Sequence, residues 1–219
     1  VLANRAAMGF IVAYGIHGWE LFALRSWLVA FLAFSLTLQP IGAGWLTPTV
    51  VATLSALVAV GASIGGQELA ARLGLRRVIV ATMMLSAAMA FTIGFAPAIP
   101  YTALVVLVLI YTVAVQADSA VLTIGAVRSA GEGRRGATLA VHSLAGFGGA
   151  AMGPLVLGIV LDLGGGMADI GAWGLAFASV GVIGLLGPVA SLGLRGRAGG
   201  DEPAGSSNRR SRGARGGVK

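Results

Sequence analysis

Six long apolar stretches run through the 219-residue chain, and the gaps between them alternate between arginine-bearing and arginine-free. The gap at 71–77 carries Arg72, Arg76 and Arg77, the gap at 128–136 carries Arg128, Arg134 and Arg135, and the segment after Leu194 is rich in arginine. The gaps at 37–47, 96–101 and 162–170 contain no Lys or Arg. Loops on the cytoplasmic side retain Lys and Arg because translocating them is unfavourable. The alternation therefore predicts a polytopic membrane protein with six spans and both ends in the cytoplasm.

Composition agrees with that class. With 57% hydrophobic and 11% charged residues, the chain has too little polar surface for a soluble globule of this length. A helix needs about 20 apolar residues to cross a hydrocarbon core of about 30 Å, and each stretch reaches that length. Transmembrane strands would instead show alternating segments of about ten residues. The fold class is thus an all-α membrane helix bundle, with spans predicted at 6–36, 48–70, 78–96, 102–127, 137–161 and 171–194. The first stretch is too long for a signal peptide and is interrupted by His17, Glu20 and Arg25. The absence of cysteine excludes disulfides, thiol chemistry and cysteine-based metal sites. No cofactor is implied.

The net charge of +7 is unevenly spread. Residues 195–219 hold seven Lys/Arg against Asp201 and Glu202. A Gly/Ser/Arg segment of this kind buries nothing, so the chain divides into a six-helix unit at 1–194 and a basic, disordered cytoplasmic tail at 195–219. Such a tail suits anionic lipid headgroups. Nucleic-acid binding is the sharper alternative, and the positive-inside pattern makes it unnecessary.

Pro40 with Pro48, Pro97 with Pro100, and Gly164-Gly165-Gly166 punctuate the three arginine-free turns. Trp45, Tyr101 and Trp173 fall near the expected outer interface, where amphipathic rings are favoured. Gly61 with Gly65, and Gly149 with Gly153, are spaced four apart, which allows close helix approach in lipid. Gly153-Pro154 is expected to mark a bend.

Ionisable groups in hydrocarbon cost several kcal/mol and normally face a cavity or a partner. The first span holds His17, Glu20 and Arg25, the fourth holds Gln116, Asp118 and Ser119, and the fifth holds His142 and Ser143. The third and sixth hold no charge in their interiors. Spans one and four are therefore expected to line water or substrate, and spans three and six to face lipid. His17 and Glu20 are three residues apart, share a helix face, and are placed to share a proton near the midplane. Arg25 lies further out and well round the helix, where it either attracts an anion or neutralises Glu20. Asp118 and His142 are expected at comparable depth, as a pair that relays protons or locks a gate. The bland alternatives are that Glu20 and Arg25 only fix packing and that His142 snorkels or caps.

The connector between spans two and three reads Gly65-Gly66-Gln67-Glu68-Leu69-Ala70-Ala71-Arg72-Leu73-Gly74-Leu75-Arg76-Arg77. It resembles the loop signature of the major facilitator superfamily, in which a glycine pair precedes an acid-Arg-x-Gly-Arg-Arg turn. Ala71 stands where that signature has its acid and Leu75 where it has the first paired basic residue, while Glu68, four before Arg72, offers a local ion pair. Residues 17–27, the Gln116-Ala117-Asp118-Ser119 run, and Arg134-Arg135-Gly136-Ala137-Thr138 leading to His142-Ser143 are similar to the seventh, tenth and eleventh helices of bacterial members.

The resemblance spans Arg5 to Leu194 and implies the C-terminal half of a twelve-helix transporter, built as two three-helix repeats with both ends inside. It implies a substrate and proton site drawn from His17, Glu20, Arg25, Gln116, Asp118 and His142, and a conformational latch at Gly65, Gly66, Glu68, Arg72, Gly74, Arg76 and Arg77. The implied partners are the lipid bilayer of a bacterial inner membrane, a small solute with protons, and an N-terminal half expected to precede Val1; no nucleic acid is among them. The function expected is secondary active transport by alternating access. One alternative is an intramembrane serine protease using Ser63, within Gly61-Ala62-Ser63-Ile64-Gly65, and His142 as base. The other is a non-transporting membrane scaffold, which explains the helices but not the protonatable groups.

Overall fold

Asn4 opens the first helix by accepting the Ala7 N–H on its side-chain oxygen, which satisfies one of the donors left unpaired at a helix N-terminus. The computed structural model describes residues 1–40, 42 and 44–193. Among them are eight helices: α1 (Arg5–Thr37), α2 (Pro48–Leu73), α3 (Leu75–Ile93), α4 (Tyr101–Gln116), α5 (Ser119–Arg128), α6 (Arg135–Leu163), α7 (Ile170–Gly184) and α8 (Leu186–Gly193). α4 with α5 forms one span and α7 with α8 another, giving six helical spans long and apolar enough to cross a membrane. The chain is an all-α integral membrane protein. The predicted tail at 195–219 lies outside the described residues.

Two of the predicted spans are broken, the fourth where α1 and α2 close on it and the sixth for a local reason. The fourth, predicted as one helix over 102–127, breaks at Ala117-Asp118. Asp118 stands at the N-cap of α5 but makes no side-chain cap bond there, its carboxylate being turned to His17 on α1. The sixth breaks at Leu185, three residues before Pro188. Proline has no N–H to return to the carbonyl of residue 184 and clashes with it. Pro154, in contrast, lies inside a continuous α6, and its carbonyl accepts the Trp27 indole N–H at 2.9 Å. α3 begins at Leu75 rather than at the predicted 78, because Arg76 and Arg77 sit in its first turn. Long arginine stems let the charged heads reach water while the backbone stays helical.

Hydrogen bonds gather the arginine-bearing connectors at one end of the bundle. There the Asn4 side chain donates to the Ser129 carbonyl at 2.7 Å, and Arg76 donates to the Ser191 carbonyl of α8. At the arginine-free end, Ser35 donates to the Pro97 carbonyl at 2.7 Å and Gln39 to the Ile99 carbonyl at 3.0 Å. Between the ends lie two apolar clusters. The one at the arginine-free end includes Leu24, Phe31, Tyr111, Trp173 and Phe177, and the one at the arginine-rich end includes Phe10, Ile11, Ile79, Met83 and Leu122. His17 and Glu20 fall between them, so the polar centre of α1 is enclosed by hydrocarbon on both sides. Trp173, expected at a lipid interface, is fully buried and donates its indole N–H to the Met167 carbonyl, whereas Trp45 is exposed.

α1 packs most closely on α6, and glycine is the reason. A Cβ at Gly149 would overlap the Gly15 carbonyl oxygen, one at Gly153 would overlap the Trp19 carbonyl oxygen, and one at Gly18 would press on Gly146. The other predicted glycine pair, Gly61 and Gly65, meets nothing within 4 Å. The glycine that α2 does use is Gly66, where any Cβ would overlap the Ala117 carbonyl oxygen at the α4–α5 break.

Gly74, between α2 and α3, has φ +94° and ψ 142°. This backbone region is essentially restricted to glycine, and a side chain there costs about 1–3 kcal/mol. Gly74→Ala should therefore lower the thermal midpoint of the purified protein by several degrees, although the position has open space around it. An unchanged midpoint would show that this joint relaxes freely.

Candidate functional site at the α4–α5 break

α4 ends with the Ala117 N–H bonding the Val113 carbonyl, and α5 starts with the Leu122 N–H bonding the Asp118 carbonyl. Among the described residues, the Asp118 N–H makes no hydrogen bond to the Ala114 carbonyl and the Val121 N–H makes none to the Ala117 carbonyl. Unpaired backbone groups at membrane depth are tolerated where protein or a water-lined cavity covers them. Gly66 covers the Ala117 carbonyl from α2, and α1 covers the other side.

The nearest polar group on α1 is His17. Its Nδ1 lies 2.8 Å from Asp118 Oδ1, with both side chains 3% exposed. The two atoms are in ion-pair contact, but the ring N–H is not aligned along the line between them, so neither makes a well-formed hydrogen bond. A protonated His17 and an ionised Asp118 satisfy one another electrostatically; without the pairing, either charge would be unfavourable at this depth. His17 and Glu20, expected to share a proton, form no hydrogen bond with one another among the described residues. Three-residue spacing puts both on one side of α1, but each turns to a different neighbour.

Glu20 is 1% exposed and accepts hydrogen bonds from the Ser86 hydroxyl at 2.9 Å and the Tyr111 hydroxyl at 3.0 Å. It thus ties α1 to α3 and α4. Gly184, at the end of α7, passes close enough that a Cβ there would lie 3.5 Å from Glu20 Oε2. Spans three and six, expected only to face lipid, therefore enclose the most deeply buried carboxylate. The second and fifth spans bury the smallest share of their residues instead. Charge-bearing sequence marks which helices own the polar groups; it does not mark which hydroxyls or backbones close around them.

The expected Asp118–His142 pair is likewise not formed. His142 Nε2 contacts the Thr123 hydroxyl at 3.1 Å, and its ring stacks on Tyr14 with centroids 3.8 Å apart. Tyr14 in turn stacks against His17 at 5.5 Å. Three aromatic rings thus run from α6 to α1 beside a cavity of about 150 Å³, whose wall includes Tyr14, His17, Ser119, Ser143 and Phe147. Ser63 is half-buried on α2, and no hydrogen bond joins it to His142 among the described residues.

Arg25 is exposed in the middle of its span, and its guanidinium donates to Gln116 Oε1 at 3.4 Å. It makes no ion pair with Glu20 among the described residues. The six candidate residues thus divide into a His17–Asp118 pair, an Arg25–Gln116 pair, and Glu20 and His142 held by hydroxyls.

In the connector, Arg72 donates from Nε and Nη2 to Glu68 Oε1 at 3.0 and 2.8 Å, as the four-residue spacing predicts. Both side chains are largely exposed, 73% and 65%, so the pair contributes no more than about 0.5 kcal/mol. Arg76 does more for the fold. Besides holding the Ser191 carbonyl, its guanidinium lies 5.2 Å from the Phe10 ring centroid, joining α3, α8 and α1. Arg77 is exposed, and Gly65 meets nothing within 4 Å.

Sequence reasoning did not single out Tyr14, Ser86, Tyr111 or Thr123. Tyr111 carried the readable signal, since a phenol in the middle of an apolar span needs a partner for its hydroxyl. Ser86 and Thr123 carried none, because small hydroxyls are accommodated in helices by bonding to the preceding turn. No protein-family model, curated protein or solved structure matches the chain.

Proposed function

We propose that this chain is one six-helix half of a proton-coupled secondary transporter of the major facilitator type. The observation that carries the reading is the His17–Asp118 pair, two protonatable groups buried at mid-span, at a break in a helix and beside a cavity. Discontinuous helices and ionisable groups near the midplane are recurrent features of substrate and coupling-ion sites in secondary transporters. The glycine-arginine connector supports the same reading: Gly66 seats against the break and Arg76 holds α8 and α1 at the arginine-rich end.

The arginine-bearing connectors lie on the cytoplasmic side of a bacterial inner membrane in this proposal, following the retention of basic loops. The two groups of three spans are repeats that rock against a second six-helix unit. Arg25 supports the need for that second surface. A guanidinium exposed at mid-span is costly in lipid and is expected to face water or protein instead. Among the described residues the serine-protease alternative lacks a paired nucleophile and base, and the scaffold alternative leaves the buried pair without a task.

The test is solute-dependent proton movement. The complete chain, alone and with a six-helix partner unit, is reconstituted in vesicles loaded with a pH-reporting dye. These are challenged with sugars, amino acids, nucleosides and short carboxylates. The expected result is that one class changes the lumenal pH beyond the protein-free control and that a protonophore removes the effect. Solute uptake with no associated proton movement would end the coupling claim, and no uptake of any class would end the transporter reading.

A further inference from the structure

A second cavity of about 250 Å³ opens further along α1, between α1, α2 and α4, and shares Leu21 with the first. Its wall is built from leucine and alanine side chains, among them Leu24, Leu28 and Ala52, with Arg25, Ser55 and Thr112 supplying the polarity. No acidic residue lines it.

The polar groups at this wall are incompletely used. Arg25 presents five N–H donors in a fixed fork, and among the described residues its hydrogen bond is the long one to Gln116 at 3.4 Å. The Ser55 hydroxyl is buried and has no hydrogen-bond partner among the described residues. That is unusual for a helical serine or threonine, which normally returns its hydroxyl to the preceding turn. Thr53 on the same helix does so to the Thr49 carbonyl, and Thr112 across the cavity does so to the Val108 carbonyl.

We propose that this cavity is the solute site and that it takes a small monocarboxylate with a short aliphatic body. The proposal deepens the transporter reading and rests on it for its role in transport, but the binding claim stands separately. The carboxylate docks on the Arg25 fork, the geometry that guanidinium matches best, and displaces the long bond to Gln116. A turn of the Ser55 side chain about χ1 gives its hydroxyl a carboxylate oxygen. The aliphatic body lies against Leu24, Leu28 and Ala52. One cation with no second positive group favours a monoanion, because a dianion would carry an uncompensated charge into hydrocarbon. The volume lies just under the roughly 300 Å³ at which ordinary small-molecule pockets begin, which limits the ligand to a few carbons.

The test is calorimetric titration of the complete chain, in lipid nanodiscs, with three probes of matched length: hexanoate, hexan-1-ol and hexylammonium. Hexanoate should bind saturably and more tightly than either of the others. Arg25→Gln should weaken hexanoate by about tenfold or more, the usual loss for a charge-assisted hydrogen bond, while leaving hexan-1-ol unchanged. Arg25→Lys should retain part of the affinity, since it keeps the charge and loses the fork. Ser55→Ala, a substitution that removes one atom, should cost hexanoate about threefold to tenfold. Equal binding of hexanoate and hexylammonium, or hexanoate binding indifferent to both Arg25→Gln and Ser55→Ala, overturns the proposal. Arg25-dependent hexanoate binding without proton-linked flux would leave this site standing and remove the transporter reading. Proton-linked flux of another solute class without hexanoate binding would do the reverse.

Discussion

Asp118→Asn is expected to abolish proton-linked flux while leaving the bundle folded. Asparagine keeps the shape of the side chain and an oxygen at the position 2.8 Å from His17, but it carries no charge and takes up no proton. Glu20→Gln should behave differently. Glu20 touches neither cavity wall and receives its two hydrogen bonds from neutral hydroxyls. A glutamine can still accept from Tyr111 and donate to Ser86, so a substantial part of the flux should remain. The measurement is the initial rate of lumenal pH change in vesicles, set beside the thermal midpoint of each variant in detergent. If both variants transport at the parental rate under the same gradient, neither carboxylate couples protons to the solute. Asp118→Ala is the poorer test, because it leaves the His17 ring buried without a partner at a cost of about 1–3 kcal/mol.

Gly149→Val should have the largest effect on stability. The Gly149 Cα faces the Gly15 carbonyl so closely that a first side-chain carbon has no room. The neighbour is helix backbone, which cannot rotate aside as a side chain can. Forcing the α1–α6 seam apart also withdraws Trp27 from the Pro154 carbonyl. The cost should reach about 3 kcal/mol, the upper end for overpacking a close-packed interior, and be read as a lost or strongly lowered thermal midpoint and an aggregated elution profile. Gly148→Val is the matched control. Gly148 is adjacent in sequence, yet a Cβ there meets nothing within 4 Å, so its midpoint should stay close to the parental value. Equal loss at 148 and 149 would mean that helix propensity, not the seam, decides the outcome.

These two glycines show what one sequence conveys and what it withholds. The six spans, the grouping of arginine at one end of the bundle and the Glu68–Arg72 pair were readable, because hydropathy, charge placement and four-residue spacing are local properties. Gly149 and Gly153 stood out by the same spacing and do pack closely. Gly61 and Gly65 stood out equally and pack on nothing among the described residues, since spacing names a smooth face without naming its occupant. The polar centre followed the same division. His17, Glu20 and Asp118 were identified as residues, but their pairing was not, because rotation about α1 and the break at Ala117-Asp118 are tertiary facts. Trp173 failed for a related reason: its position at the end of a span suggested an interface, while the Met167 carbonyl and the Phe31 and Phe177 rings draw it inward.

The gap in the fourth span also has a mechanical consequence. α4 and α5 are two stiff rods joined by a short link at which the backbone ladder loses rungs, and α1 lies along both as a splint. One tie, Arg25 to Gln116, fastens the splint on the α4 side of the link; the other, His17 to Asp118, fastens it at the start of α5. In the proposed transporter, an anion drawn to Arg25 would undo the first tie, and neutralising Asp118 would weaken the second. On the proposed reading, two chemically unrelated events at two levels along one face of α1 would release the same joint, with no need for the solute and the proton to meet.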